Sequence, residues 1–212
     1  ARMGDPAFNP AVLSVLGQIT ERYECEGLMP CISTIAPSSG KKFMEKLSEI
    51  KDQLYSGGHF QLQFSIHSTD EEFRNKIIPV KKWDFDAVSR YGEFYFKEGD
   101  RKITLNFAPG EGYPLAPERI TDNFDPEKFL IKITPINPTV KAMESGLKSM
   151  YDGKERIKID KFSDVLKNQG FDVIMSVGEY EENEIGSNCG QYVRSFIKGK
   201  RELSHSYTYV NK

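Results

Sequence analysis

Hydrophobic residues recur every three or four positions in several segments, which is the spacing of a helix with one buried face. In residues 10–23 this spacing follows Asn9, a candidate cap, and Pro10, which suits a first helical turn. A second such segment covers residues 41–58 and stops at a pair of glycines. Further helices are predicted from residue 69 onward, over 83–100 despite Gly92, and over 159–170.

Short apolar, β-branched runs lie between these helices and predict strands. The predicted strands cover residues 28–36, 60–66, 101–109, 128–138 and 171–177. Strands that alternate with helices are typical of parallel βα units, so the predicted fold class is α/β. We expect the five strands to be parallel neighbours in chain order, with right-handed crossovers.

The composition fits one domain with a short appendage. The chain has 212 residues, of which 38% are hydrophobic, enough for a substantial core. Its net charge of −2 gives no global electrostatic reason to expect nucleic acid or a membrane surface, and no apolar run approaches the roughly 20 residues of a membrane helix. Cys25, Cys31 and Cys189 form no disulfide framework, so a reducing, cytoplasmic location is expected. Cys31 lies in the first predicted strand, where a free cysteine usually belongs to the core.

Polar or turn-forming residues follow four of the predicted strands, at positions 33–34, 65–67, 109–111 and 137–138. Ligands of parallel α/β folds collect at the carboxyl ends of the strands, so these residues are expected to face one mouth. Common nucleotide-binding and hydrolase motifs are absent, the spacing of Cys25 and Cys31 does not suit zinc, and no metal ligands are predicted. His67 is either a hydrogen-bonded structural residue or a functional one, and the pattern leaves both interpretations open.

A series of motifs runs through the chain: "MGDP" before a helix, then "STIAPSS", "SIHSTDEEFRNKIIPVKK", "ITPINP" and "NCGQYV". The series resembles the radical S-adenosylmethionine methyltransferases that methylate carbon 2 of an adenine in large-subunit ribosomal RNA, and their antibiotic-resistance relatives. The resemblance covers about residues 3–193. It implies a partial (β/α)6 barrel over residues 1–178 that lacks its first strands. The strand at 171–177 is expected to be an extra C-terminal strand of this sheet, and residues 179–212 are expected to form a cysteine-bearing loop and tail.

The resemblance also implies contacts with S-adenosylmethionine. Gly4 and Asp5 stand where the family has Gly-Glu before Pro, in a turn that holds the amino group of the methionine part. Asp5 keeps the negative charge for an ammonium group but is shorter by one methylene. Ser33 and Ser65 match strand-end serines that contact the cofactor. His67 belongs to the same motif as Ser65 and is expected to touch the ribose or to shape the pocket.

Two further roles come from the C-terminal half. Asn137 matches the asparagine of the family's Pro-x-Asn-Pro motif, a cofactor contact whose amide can donate and accept hydrogen bonds. Cys189, within "EIGSNCGQYV", aligns with the cysteine that accepts a methyl group from S-adenosylmethionine, a role that needs a thiolate. The alternative is an incidental free cysteine. The segment before Cys189 departs from the family in lacking its arginine.

The family's Cys-x-x-x-Cys-x-x-Cys segment, which ligates a four-iron four-sulfur cluster, has no counterpart among the three cysteines. The chain is therefore interpreted as the C-terminal part of a radical enzyme that methylates ribosomal or transfer RNA, or of a close relative with another substrate, and is expected to be inactive by itself. The alternative is a stand-alone binding module of the same fold that has lost the cluster; upstream cysteines at the cluster spacing would exclude it. The open barrel edge is expected to allow pairing with a second copy, and no membrane partner is expected.

Overall fold

A five-stranded parallel sheet forms the centre of the fold. The computed structural model describes residues 4–24, 27–134, 136 and 154–176. The strands are β1 (Cys31–Thr34), β2 (Gln61–Ser65), β3 (Ile103–Phe107), β4 (Phe129–Ile133) and β5 (Val173–Met175). Each strand pairs in parallel with the next one along the chain, which gives the order β1-β2-β3-β4-β5. The predicted fold class and strand order are therefore confirmed.

Helices connect the strands. They are α1 (Ala11–Arg22), α2 (Lys41–Leu54), α3 (Glu71–Ile77), α4 (Phe85–Tyr95), α5 (Glu118–Thr121) and α6 (Lys154–Asn168). Helix α6 begins earlier than predicted, and α5 was not predicted because a single turn is too short to show a helical period. None of the helices within the described ranges has the length and hydrophobicity of a membrane span.

Several helices are capped at their N-termini by side-chain oxygens. These oxygens accept hydrogen bonds from backbone amides that have no partner inside the helix. Asp70 accepts from the amide of Phe73 at 2.6 Å to begin α3, and Asp84 accepts from Ala87 at 2.8 Å to begin α4. At α1 the Oδ1 atom of Asn9 accepts from the amide of Ala11 at 3.1 Å. The predicted capping role of Asn9 is thus confirmed, with Pro10 between the cap and the helix.

The two faces of the sheet differ in chemistry, because side chains alternate along each strand. One face is apolar and fully buried, and its residues are Leu62, Phe64, Ile103, Leu105, Phe107, Phe129, Ile131 and Ile133. Helices α4 and α6 pack on it through ring contacts of Tyr91 with Phe64 and of Phe162 with Phe107. The opposite face, called the polar face below, carries Ser33, Gln61, Gln63, Ser65, Thr104, Asn106 and Lys132.

The sequence-based interpretation of Cys31 as a core residue is wrong. Strand β1 lies at an edge of the sheet, and Cys31 is exposed at its first position, paired in register with Gln61. The first predicted strand was interpreted as fully buried because its residues are apolar, whereas Thr34 is the one buried residue of β1. An edge position and an alternating face explain the difference.

Gly92 lies inside α4, where the sequence suggested an interruption. The helix continues through it because the ring of Phe129 on β4 packs against the helix backbone at this point. A Cβ atom at position 92 would lie 2.1 Å from Cζ of Phe129. The glycine therefore permits the close approach of helix and sheet.

A buried ammonium group ties α2 to the segment before β3. The side chain of Lys51 is 1% exposed, forms an ion pair with Asp100, and contacts Asp52 at 2.5 Å. It also donates a hydrogen bond to the carbonyl of Tyr95 at 3.1 Å and lies 4.7 Å from the centre of the Tyr95 ring. The charge of Lys51 is thus compensated on several sides within the core.

Candidate functional site

The end of β1 is held by the carboxylate of Asp5. Its Oδ1 atom accepts hydrogen bonds from the hydroxyl of Thr34 at 2.8 Å and from the amide of Ala7 at 2.9 Å. Its Oδ2 atom accepts from the amide of Ile35 at 2.7 Å. A carboxylate offers about four acceptor positions, so these three bonds leave room for one more donor. Gly4, just before it, adopts φ +90°, a conformation that favours glycine.

Two serine hydroxyls lie side by side at the ends of β1 and β2. The Oγ atoms of Ser33 and Ser65 are 3.4 Å apart, and both residues are half-buried. Ser33 also accepts a hydrogen bond from Nε2 of Gln63 at 2.9 Å, its neighbour in the strand register. The pairing of β1 with β2 therefore brings together two of the residues that the sequence placed in a cofactor site.

His67 follows β2 in a left-handed conformation with φ +66°, which is uncommon for a residue other than glycine. Its Nδ1 atom accepts a hydrogen bond from the amide of Ala108 at 3.1 Å, so the neutral ring carries its proton on Nε2. Burial, together with the positive charge of Arg74, lowers the pKa of His67 to about 4. Near pH 7 the ring is therefore a neutral donor through Nε2, which has no partner among the described residues.

Arg74 supports this strand end from below. Its guanidinium group is buried, donates from Nε to the carbonyl of Ile66 at 3.2 Å and lies 4.9 Å from the ring of Phe85. Burial lowers the pKa of Arg74 to about 10, a value at which the side chain stays charged near pH 7. Arg74 thus holds the backbone carbonyl of Ile66, the residue before His67, and its positive charge disfavours protonation of the His67 ring.

The loop after β3 is fastened beside the end of β2. The hydroxyl of Ser68 donates to the carbonyl of Pro114 at 2.9 Å, and the hydroxyl of Thr69 accepts from the amide of Ala116 at 2.7 Å. Both Ser68 and Thr69 are buried. These bonds hold the loop after β3 against the residues that follow β2.

Asn106 and Lys132 extend the site across the polar face and were missed by the sequence analysis. Asn106 pairs in register with Ser65 on one side and with Lys132 on the other. Its Oδ1 atom accepts a hydrogen bond from the hydroxyl of Thr134 at 3.1 Å. The signal was the alternation of polar and apolar residues in "ITLNF", together with the single polar residue, Lys132, in "FLIKI".

The structure brings together Asp5, Ser33, Ser65 and His67 at the carboxyl ends of β1 and β2, with Gly4 beside them. Asn137 and Cys189 lie outside the described residues, so their roles stay predictions. Among the residues that the structure describes, no group of three His, Cys, Asp or Glu side chains could hold a metal ion.

The described part of the chain is an α/β fold with a parallel sheet and polar residues at the strand ends. The fold is similar to that of a radical SAM methyltransferase from Sphaerobacter thermophilus, with a TM-score of 0.62 and 18% identity over 89% of this chain and 52% of that chain. The family resemblance that the sequence motifs suggested is confirmed by relatives whose names are those of RNA methyltransferases.

A ribosomal RNA large subunit methyltransferase N of Nitrosopumilus maritimus is 28% identical over 172 residues, which are 79% of this chain and 43% of the relative. A probable dual-specificity RNA methyltransferase RlmN of Rhodopirellula baltica is 24% identical over 198 residues, 91% of this chain and 49% of the relative. No family profile matches the chain. The chain spans about half the length of these curated relatives.

Proposed function

We propose that this chain is the C-terminal part of a radical S-adenosylmethionine enzyme that methylates RNA in the cytoplasm. The observation that carries the proposal is the meeting of Asp5, Ser33, Ser65 and His67 at two neighbouring strand ends. These residues match the family's cofactor motifs, and the relatives similar in sequence are named as RNA methyltransferases. A ribosomal or transfer RNA is the proposed substrate of the whole protein.

The polar groups present fit S-adenosylmethionine. The free acceptor position of Asp5 suits an ammonium group, which supplies the donor that the carboxylate can still accept. The hydroxyls of Ser33 and Ser65 and the Nε2–H group of His67 suit the oxygens of a ribose. Gly4 has no side chain beside Asp5, and a Cβ atom there would have no contact within 4 Å among the described residues. Asn137 is proposed as a further contact on the same ligand.

When bound, S-adenosylmethionine supplies the methyl group and, with a four-iron four-sulfur cluster in the whole enzyme, a radical. The cluster ligands are proposed to lie outside this chain, because its three cysteines lack the required spacing. Cys189 is proposed as the thiolate that accepts the methyl group. The role of Asp5, Ser33, Ser65 and His67 is to bind and orient the cofactor beside that thiolate.

Calorimetric titration of the chain with S-adenosylmethionine tests the binding site. We expect Ser33→Ala and Ser65→Ala each to weaken binding about tenfold, the loss expected for a hydrogen bond of roughly 1.4 kcal/mol. Ser14→Ala is the matched control, because Ser14 is an exposed residue of α1. Equal affinities for all three variants would refute the assignment of the two serines.

Peptide mass spectrometry tests the proposed methyl acceptor. The full-length enzyme, loaded with its cluster and incubated with S-adenosylmethionine, is expected to carry one added methyl group on the peptide that contains Cys189. The peptide that contains Cys31 serves as the internal control, because Cys31 lies at the opposite end of β1 from Asp5. Methylation absent from Cys189 would remove the carrier role and leave the cofactor site standing.

A further inference from the structure

Three residues in neighbouring strands form a row across the polar face. Ser65 on β2, Asn106 on β3 and Lys132 on β4 are consecutive register partners, so their side chains leave the sheet on the same side. With strands about 4.8 Å apart, the row spans roughly 10 Å. It begins at the serine pair of the candidate cofactor site and leads away from β1.

The row offers hydrogen-bond donors and a positive charge. Lys132 is half-buried, and its ammonium group has no hydrogen bond or ion pair with any residue in the described ranges. Because Oδ1 of Asn106 accepts from Thr134, the two Nδ2 protons of Asn106 also lack a partner within those ranges. Donors that have no acceptor among the described residues match a ligand that carries oxyanions.

The oxyanion is not expected to be the carboxylate of the cofactor. In S-adenosylmethionine that carboxylate shares a carbon atom with the amino group, which is placed at Asp5 beyond the end of β1. Asp5 is tied to that strand through Thr34 and Ile35. Lys132 lies three strands away on β4, roughly 14 Å at the usual strand spacing, so contact with that carboxylate would require the lysine side chain to extend back across the sheet toward β1.

We propose that Lys132, with Asn106, binds a phosphate group of the nucleotide substrate on the polar face. This proposal rests on the proposed function, since it names the part of an RNA that this surface recognises. A lysine ammonium is a common point contact for phosphate, and the amide of Asn106 adds directed donors beside it. Lys132 is thus a substrate-binding residue that separates the substrate side of the mouth from the cofactor side.

Titrations of the chain with adenosine 5′-monophosphate and with adenosine test the proposal. We expect the monophosphate to bind more tightly than adenosine. Lys132→Gln should weaken the binding of the monophosphate about tenfold and leave the binding of adenosine unchanged. Lys132→Arg, which keeps the charge, is expected to restore the monophosphate affinity. Lys167→Gln is the matched control, because Lys167 is exposed in the last turn of α6. Unchanged monophosphate affinity in a folded Lys132→Gln variant would overturn the proposal.

Titrations with S-adenosylmethionine and with single-stranded RNA separate the two proposals. The affinity for S-adenosylmethionine should be the same in Lys132→Gln and in the unmodified chain; a parallel loss would place Lys132 in the cofactor site and refute the phosphate assignment. For RNA, the plot of log binding constant against log salt concentration should have a slope shallower by about 0.7 in Lys132→Gln, which is the value of one phosphate contact. If the unmodified chain binds the monophosphate but no S-adenosylmethionine, the proposed function fails while the phosphate site stands.

Discussion

The hydroxyl of Thr34 donates a hydrogen bond of 2.8 Å to Oδ1 of Asp5, a residue 29 positions earlier in the chain. The same carboxylate accepts from the backbone of Ile35 and of Ala7. One side chain therefore fastens the turn before α1 to the end of β1. The residue proposed to bind the cofactor therefore also holds the backbone at the end of β1.

Lengthening Asp5 should loosen this anchor. We expect Asp5→Glu to lower the free energy of unfolding by about 1–3 kcal/mol, because three hydrogen bonds are set for the shorter side chain. Urea denaturation measures the change. In a double-mutant cycle with Thr34→Val, the two effects should couple by at least about 0.5 kcal/mol. Strictly additive losses would contradict a direct bond between these two residues.

His67 should make the stability depend on pH. Its pKa is about 4 in the folded chain and about 6.5 when unfolded, so the unfolded state binds more protons between these values. The contribution of His67 to the free energy of unfolding is therefore fully present above pH 6.5. As the pH drops toward 4, the free energy of unfolding falls by up to about 3 kcal/mol. His67→Asn, which tolerates the left-handed backbone, should flatten this slope. The exposed His59 gives the control, and His59→Asn should leave the slope unchanged.

Two glycines in helices should respond to alanine with opposite signs. Gly92→Ala is expected to lower the free energy of unfolding by about 1–3 kcal/mol, because the new methyl group would overlap the ring of Phe129. Gly17→Ala in α1 meets nothing within 4 Å and should raise it by up to about 1 kcal/mol. Thermal or urea unfolding of both variants measures the contrast. Stabilisation by both substitutions would show that Phe129 does not press on the helix.

Removal of Asp100 should be costly because the buried Lys51 would keep only the half-exposed Asp52 as an ion-pair partner. We expect Asp100→Ala to cost about 1–3 kcal/mol in unfolding free energy, the range for a charged hydrogen bond that is lost in the core. Adding Lys51→Met should recover part of that loss, since the double variant no longer buries the charge. The surface pair of Arg90 and Asp86 is the control, and Arg90→Ala should change stability by no more than about 0.5 kcal/mol.

The chain should bind no iron–sulfur cluster. After anaerobic purification and supply of iron and sulfide, we expect neither bound iron nor the brown absorbance of a cluster, because the three cysteines lack the ligand spacing. Iron analysis and visible spectroscopy measure this. Stoichiometric iron held by Cys25, Cys31 and Cys189 would disprove the expectation.

The order of the strands could be predicted because it follows from local patterns and from the rule that βα units are parallel. The helix through Gly92 could also be predicted, but the reason for a glycine there could not, since the ring of Phe129 that packs on it lies 37 positions later in the sequence. The exposure of Cys31 was mispredicted for a related reason: which strand lies at the edge depends on the whole sheet.

The candidate site was predictable only where the motifs carried it. The sequence left open whether His67 is structural or functional. In the structure its Nδ1 atom accepts a hydrogen bond from the backbone, whereas its Nε2 atom has no partner among the described residues. Asn106 and Lys132 are 26 positions apart, and only the strand register makes them neighbours. Register depends on long-range pairing, which a local pattern does not contain.

The strand order also bears on how the chain is made. Each of the strands β2 to β5 pairs with the one synthesised just before it, so each of these segments finds a neighbour already in place when it leaves the ribosome. None of the five described strands has to be inserted between two earlier ones, and the closure of long loops, which slows many parallel sheets, is limited here to single crossovers. Assembly can therefore advance along the chain at the pace of translation.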